Sequence, residues 1–199
     1  MKTTKVETVS LKWMACPKID TVHPGLAYIW PLDELVVAKQ KDALHDIIGK
    51  PGISYTIFNK EGQKVFLAVH EKHCRKFDLK IFNIYGNEVI QVKKPKFCLT
   101  RIFVWAPPGN YVGSVSKGRP CGKIYLVKDR CGEVILKLQA RGFFQVIYDV
   151  LSDRDHVGIL APKWKLEVLN VKNFGVSFPI DMDVGYKAVL LGACFLLIA

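Results

Sequence analysis

The chain has 199 residues, half of them hydrophobic, and carries a formal net charge of +11 with a sequence pI of about 9.4. That length supports one domain with a substantial buried core, and the composition excludes a disordered chain. The positive balance favours polyanionic partners, either nucleic acid or anionic lipid headgroups, and charge alone does not choose between them.

The amino terminus, MKTTKVETVSLKWMACP, has no continuous apolar run and is not a secretory signal. Residues 1–31, with Pro17, Pro24, Gly25 and Pro31, read as an irregular arm ahead of a single domain over 32–199. Leu32 to Asp46 holds few breakers and accommodates a short helix or a strand. From residue 53 the pattern is strand and turn: Ile53 to Phe58 is β-rich, Asn59 to Gly62 is a turn, and Gln63 to Val69 returns. The unit recurs 24 residues later, Ile57 to Val65 aligning with Ile81 to Val89. Looser copies run from Ile124 to Ile135, turning at Lys128 to Gly132, and from Phe144 to Leu160, turning at Ser152 to Asp155. Pro107-Pro108-Gly109 marks a further hairpin between Arg101 to Trp105 and Tyr111 to Val115. Successive hairpins make a meandering antiparallel sheet, and closure into a barrel removes its edges.

After Phe178-Pro179-Ile180-Asp181-Met182-Asp183 the period changes. Residues 186–199 are rich in Ala and Leu and apolar on every face, the pattern of a fully buried or a membrane helix. Ala188 to Ala199 holds 12 residues, about 18 Å of helix at 1.5 Å per residue. A hydrocarbon core of roughly 30 Å needs about 20 residues. Such a helix suits the inside of a β-barrel.

Few side-chain constellations carry chemistry. The six cysteines, at 16, 74, 98, 121, 131 and 194, show no C-x-x-C spacing and read as reduced thiols of an intracellular protein. His70, His73 and Cys74 have zinc-ligand chemistry at a spacing that fits no zinc motif, so an exposed loop is expected there. Asp181 and Asp183 share a side if their stretch is extended, and two carboxylates suit a hard cation; the plain alternative is a solvated strand end. Lys93, Lys94, Lys96 and Arg101 form a basic run followed by Phe103 and Trp105, a mixture that suits a lipid headgroup interface or nucleic acid. No nucleophile elbow, H-E-x-x-H or phosphate loop occurs, so covalent catalysis is not expected. No recognised nucleic-acid motif accompanies the charge, which ranks a nucleic-acid partner last.

Several segments occur together and in order: Pro24 to Tyr28, Gly62 to Phe66, Ala106 to Gly109, Asn173-Phe174-Gly175, Phe178-Pro179, Asp181-Met182-Asp183 and Lys187 to Leu196. Together they resemble the phospholipid scramblase family over about residues 22–199. The resemblance implies a mostly β, tubby-like fold: a closed antiparallel barrel of about 12 strands around a hydrophobic C-terminal helix. It implies calcium-dependent, ATP-independent movement of phospholipids in both directions between leaflets. It also implies a membrane-associated protein at the cytoplasmic face, placed here at the plasma membrane. A tubby-like module that binds anionic lipids and transports nothing is the alternative.

The resemblance assigns roles residue by residue. Its calcium segment falls on Asn170, Phe174, Val176, Phe178 and Asp181, where the family has carboxylates at the positions of Asn170 and Lys172. Asn170 still offers a carbonyl oxygen, but Lys172 repels a cation, so calcium (Ca2+) affinity is expected to be weak or absent. Of the family's acylated cysteine cluster Cys98 remains, and one acyl chain anchors only marginally without a basic second signal from Lys93, Lys94, Lys96 and Arg101. Val189, Leu190, Leu191, Phe195, Leu196, Leu197 and Ile198 would line the helix as barrel core or as a membrane segment. The family's Pro-rich extension has no counterpart, so partners that read Pro motifs are not expected.

Overall fold

The structure, a computed structural model, describes residues 12–18, 24–73, 76–95, 100–118, 123–142, 146–153, 155–165 and 171–198. The stretch expected to hold a helix or a strand holds both: strand β1 (Glu34–Ala38) and helix α1 (Ala43–Ile48). Asp42 caps α1 by accepting from Leu44 N–H at 3.0 Å, and Gly49 ends it in the left-handed region at φ 65°. Within the arm expected to be irregular, Pro24–Ile29 forms a 3-10 helix whose Leu26 and Ile29 are fully buried, so part of the arm belongs to the core.

The predicted hairpins are present. They join β2 (Ile53–Phe58) to β3 (Lys64–His73), β4 (Lys76–Phe82) to β5 (Glu88–Lys94), and β6 (Arg101–Trp105) to β7 (Tyr111–Lys117). β8 (Ile124–Asp129) pairs with β9 (Val134–Ala140), and β10 (Tyr148–Ser152) with β11 (Asp155–Pro162). Three turns share one construction. Asn59 accepts one backbone N–H on its side-chain Oδ1 and Asn83 and Asp129 accept two each, and three residues later Gly62, Gly86 and Gly132 adopt φ of 76°, 77° and 88°. The side chain substitutes for a ladder partner and glycine takes the left-handed position without Cβ strain, which explains why this nine-residue unit repeats in the sequence.

β12 (Asn173–Ser177) closes the ring by pairing with β11 and with β1, Leu35 standing opposite Val176 and Val37 opposite Phe174. The result is a closed antiparallel barrel of twelve strands, with no free edge. His70 to His73, expected in an exposed loop, instead continues β3, with His70 opposite Leu79 and His73 opposite Lys76. The His70 ring stacks on Phe77 at 4.4 Å.

Helix α2 (Val184–Ile198) fills the barrel. Ala188, Val189, Leu190, Leu191, Ala193 and Cys194 are fully buried, Phe195 nearly so, and the Phe195 ring meets Tyr55 edge-on at 5.3 Å. Its apolarity on every face is matched by strand residues all around it, each large side chain contributing about 1.5–3 kcal/mol on burial. Gly192 lets the helix approach β6: a Cβ there would lie 2.9 Å from Val104 and 3.4 Å from Ile102. This is the tubby-like arrangement the resemblance implied. At 15 residues α2 is about 22 Å long, and among the described residues no helix is long and apolar enough to cross a membrane.

Because the strands alternate in direction, α2 and every odd-numbered strand run toward the same end. Where α2 starts, the strands meet in the tight turns described above; where it finishes, the connections are longer, as at 39–52 and 163–172, except between β3 and β4.

Candidate functional site

Side-chain alternation divides the basic run. Ile102 and Val104 point into the core, so Arg101, Phe103 and Trp105 lie on the outside of β6. Lys93 stands opposite Phe103, and Trp105 opposite Tyr111. The rings of Phe103, Trp105 and Tyr111 form a triangle with centroids 6.0–6.1 Å apart. The Lys93 ammonium sits 5.6 Å from the Trp105 centroid and the Arg101 guanidinium 5.7 Å from that of Phe103, both within cation–π range. Lys94 instead stands opposite Phe77 on the inward side, its ammonium 5.6 Å from that ring. Lys96 and Cys98 lie outside the described residues. The wall therefore joins Lys93, Arg101 and three aromatic rings into one surface, and Lys94 belongs to the mouth of the barrel.

The residues of the calcium segment are placed by β12. Phe174, Val176 and Phe178 alternate inward, buried in the core, so the two phenylalanines supply packing and no oxygen. Val176 lies between Leu35 and Leu160, with its backbone inside the sheet. Lys172 and Asp181 are exposed on opposite ends of the strand, and Asn170 lies outside the described residues. Asn173 Oδ1 is buried without a partner. Calcium takes six to eight oxygen ligands, and among the described residues no three His, Cys, Asp or Glu side chains could hold a metal together. The described part of the segment does not fit a calcium cage.

The stretch around Asp181 and Asp183 is a turn and not an extended strand, with Met182 N–H donating to Pro179 C=O. Asp183 is committed to α2: its carboxylate accepts from Gly185 N–H at 2.8 Å and Tyr186 N–H at 3.2 Å, the N-cap arrangement. Both carboxylates are exposed at this turn, which agrees with the plain reading of a solvated end, although the end is a turn and not a strand.

Sequence reasoning missed Lys187. It is fully buried, and its ammonium donates to the carbonyls of Ile180 at 2.7 Å, Leu32 at 2.8 Å and Trp30 at 2.9 Å, with that of Ile29 at 3.4 Å. Phe178 presents its ring 5.3 Å away. The cation thus gathers the end of the 3-10 helix, the lead into β1 and the lead into α2. Burial lowers its pKa to about 8, against the opposing pull of Asp181 and Asp33. The available signal was a single charge at the head of an otherwise apolar helix.

Helix α1 lies on the outside of the barrel. His45 Nε2 is 3.1 Å from Tyr55 C=O and 3.3 Å from Ala68 C=O, and Lys64 bonds Asp42 at 2.6 Å. A cavity of about 530 Å³ opens beside it, lined by residues that include Lys41, His45, Lys50 and Ser54. Lys41 is paired with Asp46.

The two ends of the barrel differ in charge. At the end where α2 starts, Asp33, Glu34, Glu61, Glu88, Asp129, Glu133, Asp153, Asp155, Asp181 and Asp183 face Lys60, Lys64, Lys128 and Arg130. At the other end Lys39, Lys93, Lys94, Arg101, Lys117, Lys123, Arg141, Lys163, Lys165 and Lys172 stand at strand ends and in connections. The acidic residues nearest them are already engaged: Glu71 with Lys80 and Asp149 with Arg141 and His156. Gln91 donates to Asp78 at 3.3 Å.

Comparison with known proteins agrees with this architecture. A solved X-ray structure of a protein from Arabidopsis thaliana superposes with a TM-score of 0.57 at 12% identity, covering 93% of this chain and all of that one, a likeness of fold alone. Phospholipid scramblase 2 of Bos taurus is 31% identical, covering 93% of this chain and 74% of that protein. Phospholipid scramblase 1 of Mus musculus is 32% identical over 93% of this chain and 66% of its own length. Phospholipid scramblase family member 5 of Homo sapiens is 32% identical over 88% and 76%. The chain thus spans about two thirds to three quarters of these relatives. The Scramblase family matches residues 14–198, from Met14, whose N–H donates to Lys64 C=O, to the end of α2, and the chain belongs to that family.

Proposed function

We propose that the chain is a phospholipid scramblase-like protein that engages phospholipids at the cytoplasmic face of the plasma membrane and moves them between leaflets without covalent catalysis or ATP. The observation that carries this reading is the outer wall of Lys93, Arg101, Phe103, Trp105 and Tyr111 on a scramblase-family barrel. Lysine and arginine meet phosphate while aromatic rings sit at headgroup depth. Calcium is given no step, since Phe174, Val176 and Phe178 are core residues and Lys172 is exposed beside them. Cys98 acylation would add a second anchor to this basic surface.

Reconstitution into liposomes carrying a fluorescent lipid tests the reading. Leaflet exchange faster than in empty vesicles is expected, equal with calcium and with a chelator. Exchange no faster than in empty vesicles rejects transport by this chain. A calcium-stimulated rate rejects the calcium-free part.

A second reading is favoured by the enclosure of α2 within the strands. In it the chain binds anionic lipid and transports nothing. Co-sedimentation with anionic vesicles, without exchange, selects it.

A further inference from the structure

We propose that the basic end of the barrel is a bilayer-docking face. The ring of strand ends seats flat on an anionic phospholipid surface, with α2 along the membrane normal and its carboxyl end toward the lipid. This rests on the reading that the chain works at phospholipid membranes; of the outer wall it keeps Lys93 and Arg101 at the surface, while Trp105 and Tyr111 lie at the other end of their strands.

Among the described residues, positive groups stand at the mouth beside β1, β5 to β9, β11 and β12. Lys165 and Lys172 lie in the β11–β12 connection, while Lys93 and Arg101 flank the β5–β6 connection, six strands away in a ring of twelve. A surface touching the barrel's side meets one of these groups and misses the other. A plane across the end meets both. Each Lys or Arg near an anionic leaflet changes partition by about five-fold, so contributions from opposite sides multiply. The carboxylates at the other end are repelled by the same surface, which fixes the direction of approach.

The centre of the ring is mainly apolar, with Lys94 and His70 turned in at its margin against Phe77. Leu196 and Leu197 of α2 are half-buried there, with Ile53 and Phe77 turned inward beside them. A charged ring around a greasy centre matches a headgroup plane over acyl chains. A nucleic-acid backbone would use the ring and leave the centre without a role.

Co-sedimentation of the full chain with phosphatidylcholine vesicles containing phosphatidylserine tests the proposal. Lys165→Glu with Lys172→Glu is expected to weaken binding roughly ten-fold or more, as much as Lys93→Glu with Arg101→Glu. Lys128→Glu with Arg130→Glu makes the same charge change at the opposite end and is expected to leave binding unchanged. Should either end's Glu pair lower the melting temperature, the Gln pair at the same positions is used in its place. Normal binding by the Lys165/Lys172 variant, with loss in the Lys93/Arg101 variant, overturns end-on docking and leaves the lipid reading standing. No binding by the parent chain overturns both. Loss of RNA binding in a gel shift by the Lys165/Lys172 variant, with vesicle binding intact, assigns the ring to nucleic acid and also overturns the proposal.

Discussion

The two ends of the barrel solve the same problem, joining antiparallel strands, by different means. Where α2 starts, the joins are tight turns held by Asn59, Asn83 and Asp129, and the ammonium of Lys187 gathers carbonyls from three segments. Where α2 finishes, most connections are longer, lysine-rich and ringed around half-buried Leu196 and Leu197. At the first end a buried ammonium and Asx side chains tie backbone groups together, whereas the second carries exposed Lys93, Lys163, Lys165 and Lys172. The first end holds the fold together, and the second is available for partners.

Substitution of Lys187 tests the first half of that contrast most severely. Lys187→Ala removes the donor for three close carbonyls and is expected to cost about 3–5 kcal/mol in chemical denaturation, the range for stranding buried polar groups. A loss below about 1 kcal/mol would mean that the acidic end is not held through this residue. The folded pKa of about 8 lies below the ordinary lysine value of 10.5, so the unfolded chain binds more protons between them. Stability attributable to Lys187 therefore rises as pH climbs from about 8 toward 10. Denaturation midpoints of the parent chain should rise over that range relative to Lys187→Met, and a falling difference would contradict the assigned direction.

Gly192→Leu is next in size, at about 1–3 kcal/mol for overpacking against Val104, Ile102 and Val92. It probes the seam between α2 and the wall, midway between the ends. An unchanged melting temperature would show that the helix seats without the close approach. Asp129→Ala should cost about 1 kcal/mol, because the N–H groups of Cys131 and Glu133 lose their acceptor in one turn of several. Lys93→Glu with Arg101→Glu should move stability by no more than about 0.5 kcal/mol, as for other surface changes, while weakening vesicle binding. A large stability loss there would erase the distinction between a structural end and a functional one.

Features set by neighbouring residues were legible in the sequence. The turns were visible because an Asx side chain and a glycine three residues apart specify them locally. α2 was visible because uniform apolarity requires burial on all sides. Features that depend on distant partners were not. Nothing near Lys187 announces that Trp30 and Leu32 supply its acceptors, more than 150 residues away. The basic run was read as one patch, yet strand alternation sends Lys94 to the mouth and Lys93 to the wall. The polarity of His70 to His73 reads as a loop and masks a strand whose partners lie in β4. Asp181 and Asp183 looked paired only under an extended geometry that the N-cap of α2 precludes.

The ring closes between β1 and β12, and the helix that fills it follows β12 in the chain. A ribosome therefore releases β1 through β12 before the first strand can find its last partner. Until then the hairpins form a curved open sheet with a greasy inner face and two unsatisfied borders. Chaperone dependence during synthesis, and sensitivity to premature truncation ahead of α2, follow from where in the gene the closing strand and its filling are written.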